Sequence, residues 1–157
     1  MRKDALRCWL LAVFLLLAPA PLLAENLLMV RTGLPFPAAL EATQSAIRSQ
    51  GYVVAEVKNV DLGLLLMGYL SENYKAVFFG KTEEIRSLSR QFPELIPYLP
   101  LQILVFAEGR DTLLVSASPV YLAGLFPQPE LTEAFARWEQ DLRTILETVR
   151  DSPAKAH

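Results

Sequence analysis

Five tyrosines, a lysine that follows a glycine and two adjacent glutamates are the side chains of this sequence best placed to do chemistry. Phe79-Gly80-Lys81-Thr82 resembles the end of a phosphate-binding loop. The full pattern wants another glycine five residues before Gly80, where Lys75 stands inside a strand-like run. A strand passing through Gly80 into a helix start still presents backbone N–H groups beside Lys81, which suits a carboxylate or a sulfate-like anion. The plainer reading is a strand-to-helix turn with a solvated lysine. Tyr52, Tyr69, Tyr74, Tyr98 and Tyr121 each carry a hydroxyl on an apolar body, fit for a pocket wall or for the edge of a core. Together these residues predict a small ligand pocket between Tyr69, Tyr74, Lys81 and Tyr98.

The catalytic inventory is otherwise thin. The single cysteine is Cys8 and the single histidine is His157, the last residue. Between them no Ser-His-Asp or Cys-His arrangement can be built. Zinc, haem and iron–sulfur ligation through Cys or His falls away for the same reason. No acidic loop has calcium-site spacing. Glu83 and Glu84 are neighbours on a helix, so they diverge by about 100° and look like charges that favour a helix start. The expectation is no catalytic residue set, no metal and no cofactor. A cofactor-free isomerase or lyase using a lone Lys, Tyr or carboxylate is the alternative.

The first 24 residues carry a different signal. Arg2, Lys3 and Arg7 form a positive head, residues 8–17 an apolar run, and Pro19 and Pro21 break it before Leu22-Leu23-Ala24. This is the pattern of a secretory signal peptide cleaved after Ala24, and the run is shorter than the roughly 20 residues a spanning helix needs. The expectation is a periplasmic protein with no stable membrane insertion after cleavage. The remaining chain of about 130 residues is one domain's worth, large enough to bury a core without disulfides. Its net charge is about −4 and its charges are interspersed, which argues against a nucleic-acid surface and against anionic lipid.

The elements that must position these residues follow from periodicity. Residues 27–30 read as a first strand. Leu34-Pro35 opens a helix whose Phe36, Ala39, Leu40, Thr43, Ala46 and Ile47 share a face, and Gly51 ends it. Residues 52–60 alternate, with Val53, Ala55 and Val57 on one side and Glu56 and Lys58 on the other. Residues 61–70 are apolar all round, interrupted by Gly63 and Gly68. They read as a buried piece of core, with a lid, a ligand wall or a membrane-touching segment as alternatives. Residues 75–79 and 101–106 are apolar on both faces and predict internal strands. Between them lie a helix over 82–91 and an extended or turned approach set by Pro93, Pro97 and Pro100. Residues 108–111 form a hairpin loop, and residues 112–118 return antiparallel. A short element over 121–126 precedes the longest helix, 130–150.

On that helix Leu131, Phe135, Trp138, Leu142, Ile145 and Val149 step by 4, 3, 4, 3, 4. This stripe suits a core face or a dimer seam. Glu133–Arg137 and Glu139–Arg143 are favourable i,i+4 pairs. The order β-α-β-x-β-α-β-β-α predicts an α+β fold, a mixed, largely antiparallel sheet with helices packed on one face. Residues 25–150 form the domain, and residues 151–157 a flexible C-terminal tail.

Three segments carry a family resemblance. They are Phe78-Phe79-Gly80, then Leu99 through Phe106 in Leu-Pro-Leu-Gln-Ile-Leu-Val-Phe, then Ser118-Pro119-Val120-Tyr121-Leu122-Ala123. In order and spacing they resemble the bacterial domain-of-unknown-function family 302, over about residues 31–149. The resemblance implies a compact α+β domain, often exported in Gram-negative bacteria, and a homodimer as its assembly. It brings no activity and no catalytic residue. The chain departs from the family pattern at Lys81-Thr82, where Asn-Pro is usual, and at Gln102, where a basic residue is frequent. The expected function is a non-catalytic module binding a small ligand or an envelope protein. A structural or assembly partner acting through the C-terminal helix is the second reading.

Overall fold

The computed structural model describes residues 26–153; the expected signal segment and the last four residues of the expected tail lie outside that range. The elements are β1 (Leu27–Thr32), α1 (Phe36–Ser49), β2 (Val53–Asn59), α2 (Asp61–Leu66), β3 (Tyr74–Gly80), α3 (Thr82–Gln91), β4 (Leu101–Glu108), β5 (Asp111–Ala117) and α4 (Pro129–Arg150). Two short 3-10 helices, Pro93–Tyr98 and Pro119–Gly124, stand before β4 and after β5. The strands form one sheet in the order β1-β5-β4-β3-β2. All four pairings are antiparallel, so the fold is α+β with an antiparallel sheet throughout.

β3 and β4, the two strands apolar on both sides, are internal, as is β5. Residues paired across the sheet share a face, so Leu28, Ser116, Ile103, Val77 and Val57 form one rung on the covered side. Ala39, Ala46 and Ile47 of α1, with Leu142, Ile145, Leu146 and Val149 of α4, close over this side. Gly51 takes φ +77, the left-handed position expected after a helix end. Glu108 pairs with Asp111 across a two-residue turn in which Gly109 has φ +62. Two buried hydroxyls are paired to backbone: Thr43 Oγ1 donates to the Ala39 carbonyl at 2.7 Å, and Thr112 Oγ1 to the Leu34 carbonyl at 2.9 Å.

A second core lies off the end of the sheet. Leu88 of α3, Leu95 of the first 3-10 helix and Phe126 meet Leu131, Ala134, Phe135 and Trp138 of α4. All six residues of the α4 stripe are therefore buried within the chain's own two cores. That corrects the reading of α4 as a seam for an assembly partner, because the apolar face is already consumed. Of the two expected ion pairs on α4, Arg143–Glu139 forms at 2.7 Å, while Arg137 turns to Glu84 of α3 instead.

Two local expectations change. A β-bulge between Val54 and Glu56 shifts the register of β2, so Val54 and Val57 face the core and Val53 and Ala55 are exposed. The extra residue breaks strict alternation. Residues 61–70 are not core. The α2 helix has no buried residue, and Leu66 and Leu70 are 81% and 93% exposed. The segment joins neighbouring antiparallel strands, so it sits beyond the last rung of the sheet, where no layer covers it.

Candidate functional site

The largest polar constellation surrounds the strand-to-helix turn that the sequence singled out. Lys81 is the residue before α3, in extended conformation. Its Nζ lies 3.5 Å from Asp141 Oδ2 of α4 and 4.4 Å from the centre of the Tyr52 ring. The Tyr52 hydroxyl donates to the same Asp141 oxygen at 2.7 Å. Beside them Glu84 accepts from Arg137 and, at 3.2 Å, from the Trp138 indole N–H. The cluster is bonded within itself, since Lys81 and the Tyr52 hydroxyl both meet Asp141. It straps α3 and the end of β3 to α4, and Lys81 is spent on that strap.

Burial, then the hydrogen bond to the Asp141 carboxylate, push the Tyr52 phenol well above its ordinary pKa of 10.0. Tyr52 thus stays protonated and acts as a donor rather than a base. An unfolded tyrosine ionises near pH 10, while the folded one resists, so its contribution is complete below that pH and is lost as pH rises further. Urea unfolding of the wild type should lose stability between about pH 10 and 12 more steeply than that of Tyr52→Phe. Equal slopes for the two proteins would refute this account of the strap.

A cleft of about 280 Å³ opens elsewhere, at the end of the sheet where β4 begins and β5 stops. Phe78 of β3 and Gln102 of β4 contribute from the strands. The approach to β4 adds Tyr98, Leu99 and Pro100, whose Leu99–Pro100 bond is cis. Ser116 to Pro119 run along the opposite wall, and Tyr121 and Leu122 of the second 3-10 helix complete it. Local bonds fix this wall. The Ser116 hydroxyl donates to the Gln102 carbonyl at 2.8 Å, Ser118 N–H donates to the Asn26 carbonyl at 3.0 Å, and the Ser118 hydroxyl donates to Glu139 at 2.7 Å. Tyr98 stands edge-on to Phe126, 5.4 Å between centres, which ties the cleft to the second core.

The four residues expected to share a pocket are dispersed. Tyr98 lines the cleft just described. Tyr69 lines a shallower groove with Leu70 and Phe106. Tyr74 opens β3 and packs edge-on against Phe106, whereas Lys81 follows the other end of β3, about 20 Å away at ~3.3 Å per residue. Sequence reasoning missed Gln102 and Ser118 as lining residues, and it named the Tyr121 hydroxyl as fit for a pocket wall but left it out of the expected pocket. The signal was nonetheless present: the three segments that carry the family resemblance are the ones that meet at this cleft. Among the described residues no group of three or more His, Cys, Asp or Glu is placed to hold a metal ion. None of their helices is long and apolar enough to cross a membrane.

Fold and cleft together define an α+β domain with a five-stranded antiparallel sheet, α1 and α4 over one face, and a neutral cleft at one end. Residues 28–149 match the family described as domain of unknown function DUF302, and the chain belongs to that family. It is similar in fold to the crystal structure of an uncharacterized conserved DUF302 protein from Bacillus stearothermophilus. The TM-score is 0.73 at 20% identity, covering 81% of this chain and 100% of that one. No curated protein matches the chain.

Proposed function

We propose that this member of a family of unknown function is an exported, periplasmic binding module whose cleft holds a small uncharged ligand. The observation that carries the reading is the convergence of Phe78, Leu99 to Gln102, and Ser118, Pro119, Tyr121 and Leu122 on one cleft. Its lining has no carboxylate, ammonium or guanidinium, so a charged ligand would enter without a counter-charge. Phe78, Pro119 and Leu122 offer an apolar wall, and Tyr98, Tyr121 and Gln102 offer hydroxyls and an amide to orient a guest. The volume stands at the lower end of ligand sites, which run to roughly 300–1,000 Å³. Export is supported by the positive head, apolar run and small-residue break of residues 1–24.

Native mass spectrometry of residues 25–157, incubated with the small-molecule fraction of a cell extract, tests this. The expected result is a retained neutral mass that Leu122→Trp, which fills the cleft, abolishes and Lys81→Ala leaves unchanged. An unliganded wild type, or retention by Leu122→Trp, would overturn the assignment.

A further inference from the structure

Neither the cleft nor the strap uses residues 61–70. Leu66 and Leu70 are the most exposed large apolar side chains among the described residues, and Met67 and Tyr69 are each 68% exposed. Leu62 and Leu65 are exposed as well. Leu64 is the one half-buried leucine of the segment, and with Tyr69 and Leu70 it lines a groove against Phe106. Val105 points into the core under α1 and α4, so its neighbour Phe106 lies on the opposite, uncovered face of the sheet. That groove roots the segment, and its other side chains stand out from the end of the sheet. Successive helix positions turn by about 100°, so Leu65, Leu66 and Met67 fan over an arc of roughly 200°.

We propose that this tip is a peripheral lipid anchor, which dips into the surface of a bilayer of zwitterionic headgroups and holds the domain there reversibly. Three observations select lipid over a protein partner. The first is the fan of side chains: a protein surface meets one side of a short helix, whereas acyl chains close around a convex one. The second is the backbone. A partner that pairs with the chain needs free N–H groups, and hydrocarbon penalises every one left open. Here Leu62 N–H donates to Asp61 Oδ1 at 2.8 Å and Leu64 N–H to the Val60 carbonyl at 3.1 Å. Met67 and Tyr69 N–H donate to the Leu64 carbonyl at 3.0 and 2.9 Å, and Gly68 N–H to the Leu65 carbonyl at 3.0 Å. The third is charge. Residues 59–74 hold no lysine or arginine, and Asp61 and Glu72 flank the apolar run. Headgroups of zero net charge accept such a segment, while anionic ones repel it. The two carboxylates also limit the depth: they stay in water, and the amphipathic Tyr69 ring sits at headgroup level. The six residues of α2 fall far short of the roughly 20 that span a bilayer, so the contact stays at the surface.

This proposal does not rest on the ligand reading. The cleft lies where β4 begins, and the tip is rooted at Phe106, near the end of the same strand. A domain held by the tip keeps its cleft open to solvent at the other end of the sheet.

Flotation of ligand-free residues 25–157 with phosphatidylcholine vesicles tests it. The wild type should float with the vesicles at low and at high salt alike, and less when part of the lipid is replaced by phosphatidylglycerol. Leu66→Asp and Leu70→Asp, both at exposed positions, should each weaken binding by at least about tenfold. Leu122→Trp, which fills the cleft, should float like the wild type, so the tip and the cleft are tested apart. Circular dichroism and Tm establish that each variant is folded. A wild type that stays in the lipid-free fraction, or folded Asp variants that float as well as the wild type, would overturn the proposal. So would binding that rises with phosphatidylglycerol and falls with salt, which would assign it to basic residues elsewhere. An oligomer that ignores vesicles and that Leu70→Asp dissociates would overturn it too, by assigning the tip to a second copy of the chain.

Discussion

Trp138→Ala should lower the free energy of unfolding by about 3–5 kcal/mol, with a fall in Tm of roughly 10–20 °C. Trp138 is 2% exposed and fills the second core, with the Phe135 ring 5.7 Å away. This core is small and lies beyond the sheet, so no strand can move in to close the gap. α3, two short 3-10 helices and the first half of α4 would instead line a cavity, and the cost grows with the volume left open. The indole also donates to Glu84, so truncation takes one donor from that carboxylate and leaves it Arg137. Trp138→Phe keeps most of the packing and loses that bond, for a cost of about 1–2 kcal/mol. Leu66→Ala, on the exposed α2 segment, should stay within about 0.5 kcal/mol. Urea unfolding of the three variants checks the order. A Trp138→Ala protein within about 1 kcal/mol of the wild type would mean that the second core adds little to the fold.

Gly80→Val should cost about 1–3 kcal/mol and loosen α3. A Cβ at Gly80 would collide with Ile85 Cδ1 and crowd Ile85 Cγ1 at 3.2 Å, with Pro100 Cβ 3.9 Å off. The tip of Ile85 can swing away, but Cγ1 lies closer to the helix backbone and the extra methyls of valine leave it less room. Ile85 stands on the first turn of α3, one residue from Glu84. Displacing that turn should weaken the contact of Glu84 with Trp138. The near-ultraviolet circular dichroism of the indole should therefore change along with the stability. Gly33, by contrast, has open space where its Cβ would be, and Gly33→Ala should be close to neutral. An unchanged indole signal in Gly80→Val would show that Ile85 yields without moving the helix.

The sequence by itself determined the elements and their order, because these are set by local pattern. The 4-3-4-3 stripe of α4, the helical face of α1, the left-handed Gly51 and the Gly109 turn each answer to forces acting within a few residues. The apolar residues on both faces of β3 and β4 are a similarly local signal, and both strands lie inside the sheet rather than at its edges. The tertiary structure alone decided what those elements meet. Alternation on β2 could not reveal a bulge, since one extra residue exchanges faces without altering composition. The apolar segment 61–70 reads as core from its side chains, yet the place of its connection beyond the sheet leaves it exposed. Tyr69, Tyr74, Lys81 and Tyr98 were grouped by chemical type, but β3 alone separates Tyr74 from Lys81 by most of the sheet's length. The cleft, the strap at Asp141 and the uncovered face are each built from residues far apart in the chain. Their adjacency is a property of strand order and helix packing, which no short window of sequence encodes.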